Sequence, residues 1–144
     1  PLPQDVAEDV QADDADSASG AEDESDDFNE ANALRVERTN HYMTHTEAWT
    51  DPSFGRERLC REVGINRHTL LQSVRSQGWN NIHEYINSYR VARLKRLIEK
   101  RYDPVLANCC YDAGFGSVKT ARATFERFYG QSLDDFWSTH LCNE

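Results

Sequence analysis

The chain has 144 residues and a formal net charge of −9: the length suits one ordinary domain, and the sign argues at first sight against a nucleic-acid binder. The charge is segregated, however: residues 1–34 hold 12 of the 25 Asp and Glu and none of the 16 Lys and Arg, so residues 35–144 carry 13 acids against 16 bases, a net of +3. No apolar run approaches the ~18 residues of a membrane span and no signal-peptide pattern is present, while four cysteines without CxxC spacing argue against a disulfide framework or zinc site and for a reducing, cytoplasmic setting.

Residues 1–34 contain one aromatic, Phe28, and almost no large apolar groups. Such a segment cannot bury enough surface to offset its ordering entropy, so it is expected to be a disordered acidic tail or interdomain linker. The chain opens at Pro1 rather than Met, which suits a linker inside something longer. The remaining 110 residues hold every Trp and Tyr and five of the six Phe, enough for a core.

A first helix is predicted over about Arg35 to Trp49, ended by Thr50-Asp51-Pro52. Gly55 is placed to cap the next helix, with Phe54 and Leu59 in a hydrophobic-staple relation. Gly64 ends that helix, and Asn66 caps a third that begins at Arg67. The longest periodic segment runs from Ile82 to about Arg101, with Asn81 and Glu84 in a capping-box-like relation at its start. Its outer faces carry Arg90, Arg93, Lys95, Arg96, Lys100 and Arg101. Asp103 and Pro104 are read as N-cap and first position of the following helix. Ser117 caps another, and Ser132 with Asp135 opens a last short one carrying Leu133, Phe136 and Trp137 inward. Nothing alternates as a strand would. The expected fold is all-α, about seven helices: a first unit at about 35–80, a linker helix at 81–101 and a second unit at 103–144.

The two units repeat one layout. Leu59, Cys60, Val63 and Gly64 correspond to Cys109, Cys110, Ala113 and Gly114, and Asn66, Leu70 and Val74 to Ser117, Ala121 and Phe125. Each is a helix, a glycine break, a polar cap and a second helix, the layout of a helix-turn-helix. A DNA-reading helix needs small or polar residues near its start and apolar residues behind them. The first offers Arg67, His68, Thr69, Leu71, Gln72 and Arg75, with Leu70 and Val74 inward. The second offers Val118, Lys119, Thr120, Arg122, Ala123 and Arg127, with Ala121 and Phe125 inward. Gln72 suits adenine, Arg67 guanine or phosphate, and Arg122 is the strongest base reader of the second helix. Leu71 and Val118 reach at most a thymine methyl. Backbone N–H groups at Asn66 and Ser117, together with Arg75, Arg93, Arg96, Thr120 and Arg127, are candidate phosphate contacts. The histidines and Trp49, Trp79 and Trp137 are read as packing, and His140 near Cys142 makes no metal site. No nucleophile, base and orienting group fall together, so no enzyme and no cofactor is expected.

DPSFGRERLCREVGINRHTLLQSV, INSYRVARLKRLI and AGFGSVKTARATFERFYGQSLDDFW together resemble the AraC-type DNA-binding domain of bacterial transcription regulators, over about ninety residues from Trp49 to Trp137. The resemblance implies two helix-turn-helix subdomains on a rigid linker helix, each placing a recognition helix in successive major-groove segments of double-stranded DNA. By position it puts base contacts on His68, Leu71 and Gln72, then on Val118, Lys119, Arg122 and Ala123. RNA polymerase and a sensor or dimerisation domain outside this chain are candidate partners, and a membrane-anchored parent is compatible. Leu71, Ala123 and Glu126 depart from the family's polar or basic habit and Leu133 replaces its usual proline, which shifts weight toward phosphate contacts. The alternative is a protein-interaction module on the same scaffold with weak or no DNA binding. A tethered acidic tail also stands to compete with phosphate, in which case deleting residues 1–34 tightens DNA binding at low salt; a solvated linker leaves affinity unchanged.

Overall fold

The computed structural model describes the backbone of residues 26–142 and the side chains of residues 30–140. Residues 1–25, most of the expected acidic tail, lie outside the described residues. Seven α-helices and one 3-10 turn, with no strand, make up what is described, in agreement with the all-α expectation.

The described chain divides into two compact units, one of residues 26–47 and Phe54–Ile86, the other of Ala48–Ser53 and residues 87–142. The first unit opens with α1, Asp26–His45. It starts nine residues before the predicted Arg35 and stops short of Trp49, so residues 26–34 are helical rather than part of a structureless tail. The reason is polar and long-range. Asn32 donates to Ser76 Oγ at 2.9 Å and accepts from Ser73 Oγ at 3.0 Å, giving this N-terminal stretch partners 41 and 44 residues away. Further along, Arg38 donates to the Val63 carbonyl at 3.0 Å, and Asn40 accepts from the Tyr85 hydroxyl at 2.6 Å while donating to Gln77 Oε1 at 3.1 Å. Among the described side chains of α1, only Thr39 and Met43 are fully buried. Hydrogen bonds more than an apolar stripe fasten this helix to its unit.

Two helices complete the first helix-turn-helix: α2, Arg56–Val63, and α3, Arg67–Ser76. Gly55 precedes α2 in extended backbone with no side-chain cap, and Gly64 ends it in the left-handed region at φ +71°, its N–H donating to the Cys60 carbonyl. Asn66 Oδ1 then accepts from the Thr69 N–H at 2.8 Å, the predicted cap. Phe54, Leu59, Val63, Ile65, Leu70, Val74, Ile82, Tyr85 and Ile86 are buried in this unit.

The long helix α4, Ile82–Glu99, begins in the first unit and continues in the second. Asn81 Oδ1 accepts from the Glu84 N–H at 2.8 Å, and Glu84 reaches back to the Asn80 N–H at 3.0 Å, one residue further than the predicted box. The helix stops two residues before the expected Arg101, which adopts φ +53° as the chain turns away. Arg90, read from sequence as surface charge, is only 6 % exposed. Its guanidinium donates to the Trp49 carbonyl at 2.8 Å, the Asp51 carbonyl at 3.0 Å and Asn87 Oδ1 at 3.4 Å. Burial pushes the group down to about 10, with Asp51 opposing the shift, so it stays protonated at neutral pH. These bonds hold the 3-10 turn Ala48–Thr50 and its buried Trp49 within the second unit.

The second helix-turn-helix is α5, Leu106–Asp112, and α6, Val118–Tyr129, followed by α7, Leu133–Cys142. The N-cap of α5 is Val105 rather than the predicted Asp103. Asp103 acts two residues earlier, accepting from the Val105 N–H at 2.8 Å and from Asn108 Nδ2 at 3.2 Å. Ser117 Oγ caps α6 by accepting from the Thr120 N–H, and Gly130 ends it at φ +68°. Val91, Leu94 and Ile98 pack with Cys109, Cys110, Ala113, Phe115, Ala121, Phe125, Leu133 and Phe136 into one apolar core. The turn between α5 and α6 depends on Gly114, at φ +107° with room for nothing larger.

Candidate nucleic-acid interface

Three of the repeated pairs occupy equivalent buried positions, whereas Cys60 and Gly64 are more open than their counterparts Cys110 and Gly114. Leu59 and Cys109, Leu70 and Ala121, and Val74 and Phe125 are all at most 1 % exposed. Each second helix starts from an extended residue whose side chain accepts from the N–H three residues further on. Within each unit this is the arrangement that lets a helix meet phosphate at its start and bases along its first turns.

On α3, Arg67 and Arg75 are exposed and His68, Thr69 and Gln72 are half-buried. His68, Gln72 and Arg75 share one side of the helix, while Arg67 stands at its first position in line with Leu70, Leu71 and Val74. Leu71 is not part of the polar side. Its side chain is 0 % exposed and belongs to the core of the first unit. Leu70, Leu71, Ser73 and Val74 together close an arc of roughly 160° at 100° per residue. On α6 only Ala121, Thr124 and Phe125 are buried, an arc of roughly 100°. The position equivalent to Leu71 is therefore open in the second unit, where it is Arg122. Assigning Leu71 a base contact overlooked the wider covered arc of α3.

On α6, Lys119, Arg122, Ala123, Glu126 and Arg127 are exposed. Val118 is half-buried and packs against the apolar core, which leaves little of it for a thymine methyl. Thr120 gives its N–H to Ser117 Oγ at 3.1 Å and accepts from the Ser117 hydroxyl at 3.1 Å, so its side chain belongs to the cap. Arg122 Nε donates to Asp134 Oδ2 of α7 at 3.1 Å, a pair the sequence reading did not single out. Arg127 lies over the Phe128 ring at 5.6 Å.

The two phosphate candidates on α4 separate. Arg93 donates through Nε to the Asp112 carbonyl at 3.1 Å and through Nη2 to its carboxylate at 3.1 Å. It closes the C-terminal end of α5, where a cation is favoured by the helix dipole, and is therefore a bracing residue first. Arg96 is exposed. Lys95 stands over the Tyr129 ring at 4.9 Å.

The thiols of the second core are kept protonated. Burial pushes Cys110 up to about 12, assisted by the neighbouring Cys109, and burial followed by the charge of Asp103 raises Cys109. Neither serves as a nucleophile at neutral pH. In a Cys142→Ser background, thiol labelling of the native protein is expected to reach half-buried Cys60 at least ~10-fold faster than Cys109 or Cys110. Equal rates for all three would show that the second core opens readily.

Among the described residues no group of three or more His, Cys, Asp or Glu is placed to hold a metal, and no helix is long and apolar enough to cross a membrane. A family model described as a helix-turn-helix domain matches residues 59–138, more than half of the chain. The match runs from within α2 into α7 and leaves α1 outside it. No curated protein and no solved structure matches.

Proposed function

The chain belongs to the AraC-type helix-turn-helix family, a class of DNA-binding transcription regulators, and from that premise we propose that it reads double-stranded DNA through two recognition helices. The observation that carries the reading is the repetition: α3 and α6 each follow a left-handed glycine turn, each start from a side-chain cap, and each turn a polar face outward. In this reading α3 contacts bases through His68 and Gln72, with Arg67 on guanine or phosphate, and α6 through Lys119, Arg122 and the small Ala123. Arg75, Arg96, Arg127 and the helix starts at Asn66 and Ser117 contact phosphates. The helices take successive major-groove segments, so the target is two short blocks about 10 bp apart. RNA polymerase and a sensor or dimerisation domain elsewhere in a longer protein are the partners such a reader would serve.

One observation favours the second reading, a protein-interaction module. On α6 the cation of Arg122 is paired with Asp134, and Glu126 is exposed on the same helix. This weakens the field available to attract phosphate.

Selection from a random duplex pool by the intact chain decides between them. Two enriched blocks about one turn apart are expected, the first flattened by Gln72→Ala and the second by Arg122→Ala. Binding to the selected duplex should fall with salt at a log–log slope of about −4 to −6, the value for five or six neutralised phosphates. Retention of duplex without enrichment would reduce the function to phosphate binding. No retention at low salt would favour the interaction module.

A further inference from the structure

Arginine reads guanine best when its flexible side chain arrives already aimed. The guanidinium has two separately usable edges, the Nε side and the terminal fork of Nη1 and Nη2. In α6 the Nε side of Arg122 is occupied: it donates to Asp134 Oδ2 at 3.1 Å. The terminal fork has no partner among the described residues. Both side chains remain accessible, Arg122 at 51 % and Asp134 at 59 %, so the pair sits on the surface of its unit rather than inside it.

Asp134 is itself held in place. It lies in the first turn of α7, where the helix dipole favours a carboxylate. The same turn is capped by Ser132, whose Oγ accepts from the Asp135 N–H at 3.0 Å. An exposed ion pair of this kind contributes little to folding stability. Its effect is on orientation: one fixed acceptor at Nε removes much of the freedom of the arginine and leaves a planar two-donor fork at its tip. That fork matches the O6 and N7 acceptors of guanine in the major groove.

We propose that Asp134 is a positioning residue for DNA recognition, which holds Arg122 so that its terminal fork reads a guanine in the second block. The proposal rests on the assignment of α6 as a recognition helix and adds a base identity and a second residue to it. A carboxylate that merely neutralised Arg122 would have a different signature. It would lower affinity for every duplex alike, and its removal would tighten binding without changing base preference.

The test is the relative affinity of the intact chain for duplexes that differ at one base pair of the second block, for the parent and for four variants. The parent is expected to prefer guanine at one position by roughly 5- to 100-fold, the range of a good bidentate contact. Asp134→Ala, which removes the acceptor, should reduce that preference to about 2-fold while affinity for unrelated duplex changes by less than about 3-fold. Asp134→Glu, which keeps a carboxylate acceptor, should recover most of the preference. Arg122→Ala should abolish it, and Asp134→Ala added to Arg122→Ala should change it no further. Thermal unfolding of Asp134→Ala is expected to stay close to the parent. A guanine preference that survives Asp134→Ala, with or without a uniform gain in affinity, overturns the proposal alone. A parent chain that prefers no base in the second block overturns it together with the reading of α6.

Discussion

Gly114→Ala is expected to destabilise the second unit by about 3–5 kcal/mol, a loss at the upper end for a single substitution. Two effects combine. At φ +107° an L side chain is strained, an effect of about 1–2 kcal/mol in left-handed backbone. The added Cβ would also stand 2.6 Å from the Trp49 carbonyl oxygen, 2.9 Å from Thr50 Cα and 3.0 Å from Arg90 Nε. Two of these are backbone atoms, and the third belongs to a guanidinium committed to carbonyls of the same segment. None yields without breaking the buried bonds of Arg90. Gly64→Ala is the control, since Gly64 has φ +71° and nothing within 4 Å of its would-be Cβ, and only the backbone term, about 1–2 kcal/mol, should appear. Denaturant unfolding measures both. Equal losses would mean that packing of Ala48–Ser53 onto Gly114 contributes nothing.

Leu71→Ala is expected to cost about 3 kcal/mol of stability and to leave base preference untouched in whatever protein remains folded. The side chain is fully buried, and truncation leaves a cavity in the first unit. Gln72→Ala, next to it on the half-buried face of α3, should cost under about 1 kcal/mol and change the first block instead. Unfolding curves and duplex selection on the same two variants separate the roles. A Leu71→Ala protein with parental stability and an altered base at one position would restore Leu71 to the reading face.

What was legible in the sequence was local. Asn66, Ser117, Gly64 and Gly130 act within three or four residues, so their cap and turn chemistry could be read directly, and with it both second helices. The correspondence between the two units followed from the same spacing, and the burial of Leu59 and Cys109, Leu70 and Ala121, and Val74 and Phe125 fits it. What was not legible depends on contacts distant in sequence. The early start of α1 rests on Asn32 meeting Ser73 and Ser76, and acidic neighbours in the sequence hid it. Arg90 looked like its charged neighbours on α4, yet it is consumed by the carbonyls of Trp49 and Asp51. Leu71 and Arg122 stand at equivalent positions of the repeat, and periodicity alone does not tell how wide an arc of each helix is covered. The Arg122–Asp134 pair joins residues twelve apart across a turn, with no motif to announce it.

The central claim is that each unit reads its own block of DNA. It is tested most directly by binding the parent, Gln72→Ala and Arg122→Ala to three duplexes: the selected site, the site with its first block scrambled, and the site with its second block scrambled. Losses that cross are expected. Gln72→Ala should lose affinity for the intact site and little more when the first block is scrambled, while Arg122→Ala behaves likewise toward the second, each base contact being worth about 1–3 kcal/mol. Losses that are the same for every duplex, whichever residue is changed, would contradict the account and leave a protein that holds DNA by its phosphates alone.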